Sequence, residues 1–238
     1  MSTTAGTPAA PRGRVGRPRA RGPVADGLAP RDGLLVAAAE LFTRQGYGAT
    51  TTRAIAERAG LRQASMYHYF AGKEDILAAL LEGTVRPSLD LARALVAHPS
   101  AEAGAEARLW ALCRADVELL CGGRHNLGAL YLLPEVAAER FAAFRRVRAE
   151  LKAAYRALLA GTAAAAALPG AELELRADLV FGLIEGVILI RRQDPDPAAP
   201  ALAVAAADGA LRLSGAPEAV VAAAATQGAA LLGTLRTG

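Results

Sequence analysis

From residue 29 onward, apolar positions recur at three- and four-residue spacings and β-branched alternation is nearly missing. That pattern predicts an all-α fold with no sheet. Leu34, Leu35, Ala38, Leu41 and Phe42 draw one stripe along a helix from Arg31 to Gln45, which Gly46 stops. Thr50, Thr51 and Thr52 offer N-cap oxygens to a short second helix that ends at Ala59-Gly60, with Ile55 and Ala59 on its buried face. A tight turn at Gly60-Leu61 leads into a third helix, Arg62 to Phe70. Lys73-Glu74-Asp75 opens a fourth, with both carboxylates in the first turn where the helix dipole favours them. Two short helices joined by a glycine-containing turn are the helix-turn-helix pattern, and such helices need the first and fourth for packing.

Beyond this head the periods lengthen. Helices are expected at 73–97, 102–121, 125–132, 136–160, 172–192, 200–213 and 217–235, with breaks at Pro87, Pro99-Ser100, Gly122-Gly123, Pro134 and Pro169-Gly170. Phe141, Phe144, Leu151, Tyr155 and Leu158 share one stripe, a pattern that is more often core than cofactor site. Residues 1–28 are rich in Pro and Gly and poor in bulky apolar groups, so they are expected to be disordered. The organisation is therefore read as a basic arm (1–28), a helix-turn-helix domain (29–78) and a larger helical domain (79–238).

Composition changes this picture little until charge is located. The 238 residues carry 27 Lys+Arg and 23 Asp+Glu, a net +4. Ala contributes 59 residues and Arg 25, so a single Ala or Arg is weakly informative. Residues 1–30 hold five Arg against Asp26, which is +4; residues 31–80 are +1 and residues 81–238 are −1. The excess is an N-terminal arm, suited to a polyanion or equally to a solvated leader. The apolar run Leu179 to Ile190 is too short to span a bilayer and contains Glu185, so no membrane partner is expected. No signal-type stretch stands at the N-terminus, and Cys113 and Cys121 lie about 12 Å apart on a helix, too far to bridge. The expected compartment is the cytoplasm.

With Met66 and Phe70 facing inward, the third helix turns Ala64 and His68 outward, flanked by Ser65 and Tyr67. Arg62, Gln63 and Ser65 offer hydrogen bonds to base edges, and Tyr67, His68 and Lys73 suit phosphate oxygens. The run Gly46-Tyr47-x-x-Thr50-Thr51-x-x-x-Ile55-Ala56-x-x-Ala59-Gly60-Leu61, then Met66-Tyr67-His68-Tyr69-Phe70-x-x-Lys73-Glu74, resembles the DNA-binding domain of TetR-type (tetracycline-repressor-like) regulators. The likeness covers about 50 residues without insertion, and implies a homodimer released from a palindromic operator by a small-molecule effector. It also implies phosphate contacts at Thr51, Thr52, Tyr67, His68 and Lys73, and base reading at Arg62, Gln63, Ala64 and Ser65. Arg62 departs from the Ser-like cap usual at that position, so capping of the third helix is weaker. Gly16-Arg17-Pro18-Arg19 is similar to the core of an AT-hook, which gives Arg17 and Arg19 a minor-groove role.

The larger domain is less specific. His125-Asn126 and Glu185 are polar groups set among apolar ones. A carboxylate there needs either an Arg partner or a ligand. A mainly apolar pocket is expected from Trp110, Tyr131, Phe144, Tyr155 and Phe181, with His125, Asn126 or Glu185 orienting the ligand. Gly182 and Gly186, four apart, mark 173–190 as a dimer helix paired with 200–213, or else a buried core helix. No zinc, hydrolase or phosphate-loop motif is present, so neither cofactor, metal nor catalysis is expected. The alternatives are an architectural DNA-binding protein that relies on the arm with little ligand control, and a small-molecule carrier or enzyme with a vestigial helix-turn-helix.

Overall fold

The computed structural model describes residues 27–98, 103–194 and 198–237. Arg17 and Arg19, with all of the arm up to residue 26, lie outside the described residues. Within them every regular element is helical: α1 (Pro30–Arg44), α2 (Thr52–Arg58), α3 (Gln63–Met66), α4 (Lys73–Ala97), α5 (Ala105–Cys121), α6 (Ala142–Ala160), α7 (Gly170–Gln193), α8 (Ala199–Ser214) and α9 (Glu218–Thr237). Three short 3₁₀ segments, Leu127–Leu132, Pro134–Ala137 and Glu139–Phe141, connect α5 to α6.

The first four helices form because their short apolar faces meet. Leu34, Ala38, Ile55, Ala56, Met66, Ile76 and Leu77 are fully buried against one another's helices. Thr51 caps α2 by accepting a bond from the Ala54 amide at 3.1 Å. Gly60, at φ +73°, makes the turn, a conformation that only glycine adopts without strain. The third helix is shorter than its apolar pattern predicts: α3 ends at Met66, and the Tyr69 and Phe70 amides both return to the Met66 carbonyl. That turn is what carries Phe70 inward while Tyr67 and Tyr69 stay half exposed. Arg62 supplies no side-chain cap to α3, in keeping with its departure from the Ser-like cap.

Helix α5 is the axis of the body, buried along most of its length and packed by α4, α6, α7, α8 and α9. Trp110 is 2% exposed and donates its indole N–H to Asp208 of α8 at 2.8 Å. Gly228 of α9 sits over it: a Cβ there would lie 2.7 Å from the Trp110 ring and 2.8 Å from the Ala107 carbonyl. Cys113 and Cys121 are buried free thiols. Over Glu218–Leu235, α9 is also apolar and long enough to cross a membrane, but core helices pass that test too, and its Val221, Ala224, Leu231 and Leu232 are buried in the body.

Two breaks fall elsewhere than the sequence suggests. Pro87 does not interrupt α4, which runs through it. Pro87 and Gly83, whose carbonyl loses its helical donor there, are both exposed, so the freed carbonyl is not buried without a partner. Residues 136–141 are 3₁₀ turns instead of the start of α6. Pro134 begins them, and the Arg145 guanidinium reaches back to the Val136 and Ala138 carbonyls at 2.8 and 2.7 Å.

Candidate nucleic-acid interface and ligand cavities

The outward surface of the helix-turn-helix is a compact polar cluster. Gln63 donates to the Thr52 hydroxyl at 3.0 Å and lies 3.5 Å from the Tyr67 hydroxyl, which is itself 3.5 Å from Thr52. Beneath them Met66 is fully buried and Ile55 anchors α2, so the cluster rides on rigid packing. Arg62, Ala64 and His68 are exposed beside it and Ser65 is half-buried. Small Ala64 lets the α3 backbone approach a groove floor, and the amide and hydroxyls match base edges and phosphate oxygens.

Two of the expected phosphate ligands carry structural duties as well. Thr51 uses its oxygen as the α2 cap, which leaves its O–H free to donate outward. Lys73 donates to the Tyr47 carbonyl at 2.8 Å and lies 4.2 Å above the Tyr47 ring, keeping two N–H bonds available. Burial pushes the Tyr47 hydroxyl up to about 12, so that ring stays neutral under the ammonium.

The eight residues expected around a ligand pocket do not gather in one place. Tyr131, Phe144 and Glu185 line a cavity of about 590 Å³ between the 3₁₀ segments, α6 and α7. The Tyr131 and Phe144 rings meet at a tilt of 50° with centroids 5.2 Å apart, and Tyr131 donates to Thr84 at 2.6 Å. Glu185 is held by Arg148, whose Nε donates to Oε1 at 2.6 Å and whose Nη2 bonds the other oxygen. The partner of Glu185 is thus an arginine of its own domain. Phe181 lies behind, under the Arg148 guanidinium at 5.0 Å. Tyr155 and Trp110 line no described cavity; both belong to the core.

Tyr155 has a polar assignment that its apolar stripe did not suggest. Its hydroxyl donates to Asp116 at 2.8 Å, and Ser88 donates to the other carboxyl oxygen at 2.7 Å. Burial outweighs these two bonds and raises the Asp116 carboxyl to about 6. Asp116 went unnoticed in the sequence, although it falls between Cys113, Val117 and Leu120 on the buried stripe of α5.

His125 and Asn126 stand at the junction of head and body. Asn126 donates to the Ile188 carbonyl at 2.9 Å, while its Oδ1 is buried without a partner. Burial lowers the His125 ring below its ordinary value, opposed by Glu40 and assisted by Arg124, Arg44 and Arg191. Arg191, unremarked in the sequence, is 5% exposed and donates to the carbonyls of Leu120, Gly122, Gly123 and His125, closing the C-terminus of α5.

Residues 34–80 match the model of the bacterial regulatory proteins of the tetR family. The crystal structure of Mycobacterium smegmatis AmtR is similar over the whole body as well: 48% identity, 84% of this chain, 94% of that chain and a TM-score of 0.74. This chain belongs to the TetR family. The HTH-type transcriptional repressor KstR2 of Rhodococcus jostii (strain RHA1) is 32% identical over 137 residues, which is 55% of this chain and 65% of that protein. KstR2 of Mycobacterium tuberculosis (strain ATCC 25618 / H37Rv) is 47% identical over 53 residues, 22% of this chain and 26% of that repressor. Against these two KstR2 proteins the chain spans from about a quarter to just under two thirds of their length. The helix-turn-helix of this TetR-family member is the DNA-binding head of a transcriptional regulator.

Proposed function

We propose that the chain is a homodimeric transcriptional repressor that a small molecule releases from a palindromic operator. The observation that carries the reading is the Thr52–Gln63–Tyr67 cluster: three hydrogen-bonding side chains gathered on the outer side of a buried scaffold. Arg62, Gln63, Ala64 and Ser65 read bases, and Thr51, Thr52, Tyr67, His68 and Lys73 hold phosphates. Arg17 and Arg19 extend the contact into the minor groove. The compartment is the cytoplasm, where the operator is, and the chain is not an enzyme. Residues 29–78 form the reading domain and 79–238 the effector and dimer domain.

Dimerisation through α7 is supported by an exposed stripe at helical spacing: Leu175, Leu179, Leu183, Leu189 and Ile190 are 39–55% exposed. Gly182 and Gly186 lie among them with open space above each Cβ position. A two-fold partner laid on this stripe, with α8 beside it, sets two heads at successive major grooves. The effector site is the cavity of Tyr131, Phe144 and Glu185, where Arg148 and Glu185 orient a mostly apolar ligand.

Footprinting on the DNA that flanks the gene, with the full chain and with Leu179→Glu/Leu183→Glu, tests the proposal. The wild type is expected to protect two half-sites about one helical turn apart. The double variant should sediment as a monomer and protect neither. Protection of a single site by a monomeric wild type would overturn the dimer, and uniform protection of all DNA would favour the architectural alternative.

A further inference from the structure

We propose that the junction between head and body is a second ligand site, separate from the effector cavity above, and that it takes an anionic amphiphile: an alkyl chain ending in a carboxylate or a phosphate. Two cavities meet there. One, of about 590 Å³, is walled mainly by apolar side chains of α1, α4 and the end of α5, among them Leu35, Val36, Leu80 and Leu119. The other, of about 800 Å³, is lined by Arg44, Arg58, Arg124, Arg191 and Arg192, with Glu40 as its one carboxylate. Glu40, Arg124, His125 and Arg191 line both, so the apolar space opens into the cationic one. A binding site of several hundred Å³ with few convergent polar groups is the ordinary form of a small-molecule pocket.

The charge in the basic half is not used up by the fold. Glu40 takes Arg58 at 2.7 Å and Arg44 at 3.1 Å, and Arg191 is spent on backbone carbonyls. Among the described residues no carboxylate pairs with Arg124 or Arg192, and both are exposed at the mouth. Burial lowers the His125 ring below its ordinary value, so the positive charge of the cleft rests on its arginines. Asn126 lines the basic cavity, and its buried Oδ1 has no partner. Thr52, Gln63, Tyr67 and His68 do not line either cavity, so this basic cleft is distinct from the reading surface.

The site also has a firm floor. The loop after α5 is fastened to α7 by Arg191, by the Asn126–Ile188 bond and by the close seat of Gly128 on Ile188, where a Cβ would lie 2.6 Å away. The opposite wall is α1, part of the head. A bound chain therefore presses between head and body, a position from which it shifts the angle of the reading helix.

The test is calorimetric titration of the full-length protein at neutral pH with decanoate, decyl phosphate, decanol and decyltrimethylammonium, each below its micelle concentration. Two variants separate this site from the exposed α7 stripe and from the Glu185 cavity. Arg124→Glu/Arg192→Glu reverses the mouth, and Gly83→Leu fills the apolar half from a position with open space around its Cβ. The expected result is saturable binding of one or both anions, weakened by about tenfold or more in the charge-reversed pair, as loss of charge-assisted bonds requires, and abolished in Gly83→Leu. Preference for decanoate assigns a carboxylate and preference for decyl phosphate a phosphate. Glu185→Gln leaves this binding unchanged, so failure of the effector cavity and failure of this site read differently. Equal binding of decanol or the cation, absence of binding, or binding indifferent to both variants overturns the proposal. Unchanged thermal stability of Gly83→Leu confirms that its loss of binding is not loss of fold.

Discussion

Two tyrosines summarise the difference between head and body. Tyr67 is half exposed at the tip of α3, with its hydroxyl 3.5 Å from the Thr52 and Gln63 side chains. Tyr155 is fully buried in α6, edge-on to Phe181 at 5.4 Å, with its hydroxyl on Asp116. The head keeps its chemistry on the outside of a small, tightly packed support; the body keeps its chemistry inside. Substitution should therefore separate reading from folding in the head and confound them in the body.

The largest effect belongs to the body. Trp110→Ala removes a fully packed indole and leaves Asp208 without its donor, and should destabilise the protein by about 3–5 kcal/mol. Thermal or denaturant unfolding measures this, and a loss under about 1 kcal/mol would mean that the α5–α8–α9 packing is not the axis of the fold.

The next effect is a pH dependence. The Asp116 carboxyl titrates near 6 in the folded protein against an ordinary 3.8. Between those values the native state holds a proton that the unfolded chain has lost. Stability therefore falls as pH rises through this window and levels off above it. Asp116→Asn should flatten that fall, as seen in midpoint temperatures measured from about pH 4 to 7. The same slope in the variant would assign the dependence to another group. The head holds no comparable buried acid: Glu40 bridges Arg58 and Arg44, which outweigh its burial and keep its carboxyl below the ordinary range.

The smallest effect is in the head. Thr51→Ala loses the α2 cap and should cost about 1 kcal/mol, together with one outward hydroxyl. Operator affinity should fall further than stability alone explains, and an affinity loss matched by the unfolded fraction would remove Thr51 from the interface.

The same contrast decides what was legible in the sequence. The head could be read closely because its turn, its cap and its outward residues follow local rules: Gly60 at positive φ, Thr51 at the N-cap, Met66 inward and Tyr67 outward. In the body, side chains were legible as core, and Phe141, Phe144, Leu151, Tyr155 and Leu158 are all buried. Their partners were not. Arg148 with Glu185 lies 37 residues apart, Tyr155 with Asp116 39, and Trp110 with Asp208 98. No local period encodes such pairings, and with 25 arginines in the chain no single one stood out as the partner. The aromatic residues expected around one pocket were divided accordingly between a cavity and the core.

The account rests on the claim that the Thr52–Gln63–Tyr67 surface reads DNA and does nothing for the fold. The direct measurement compares wild type with Thr52→Ala/Gln63→Ala/Tyr67→Ala, recording unfolding midpoint and affinity for the footprinted operator against bulk DNA at one salt concentration. The wild type should prefer the operator by about a thousandfold or more. The triple variant should unfold as the wild type does, lose about tenfold of that preference with Gln63, the one base-reading side chain of the three, at about 1–3 kcal/mol, and bind all DNA more weakly for want of the Thr52 and Tyr67 phosphate contacts. A triple variant that keeps its operator preference, or that loses it only by unfolding, contradicts the account.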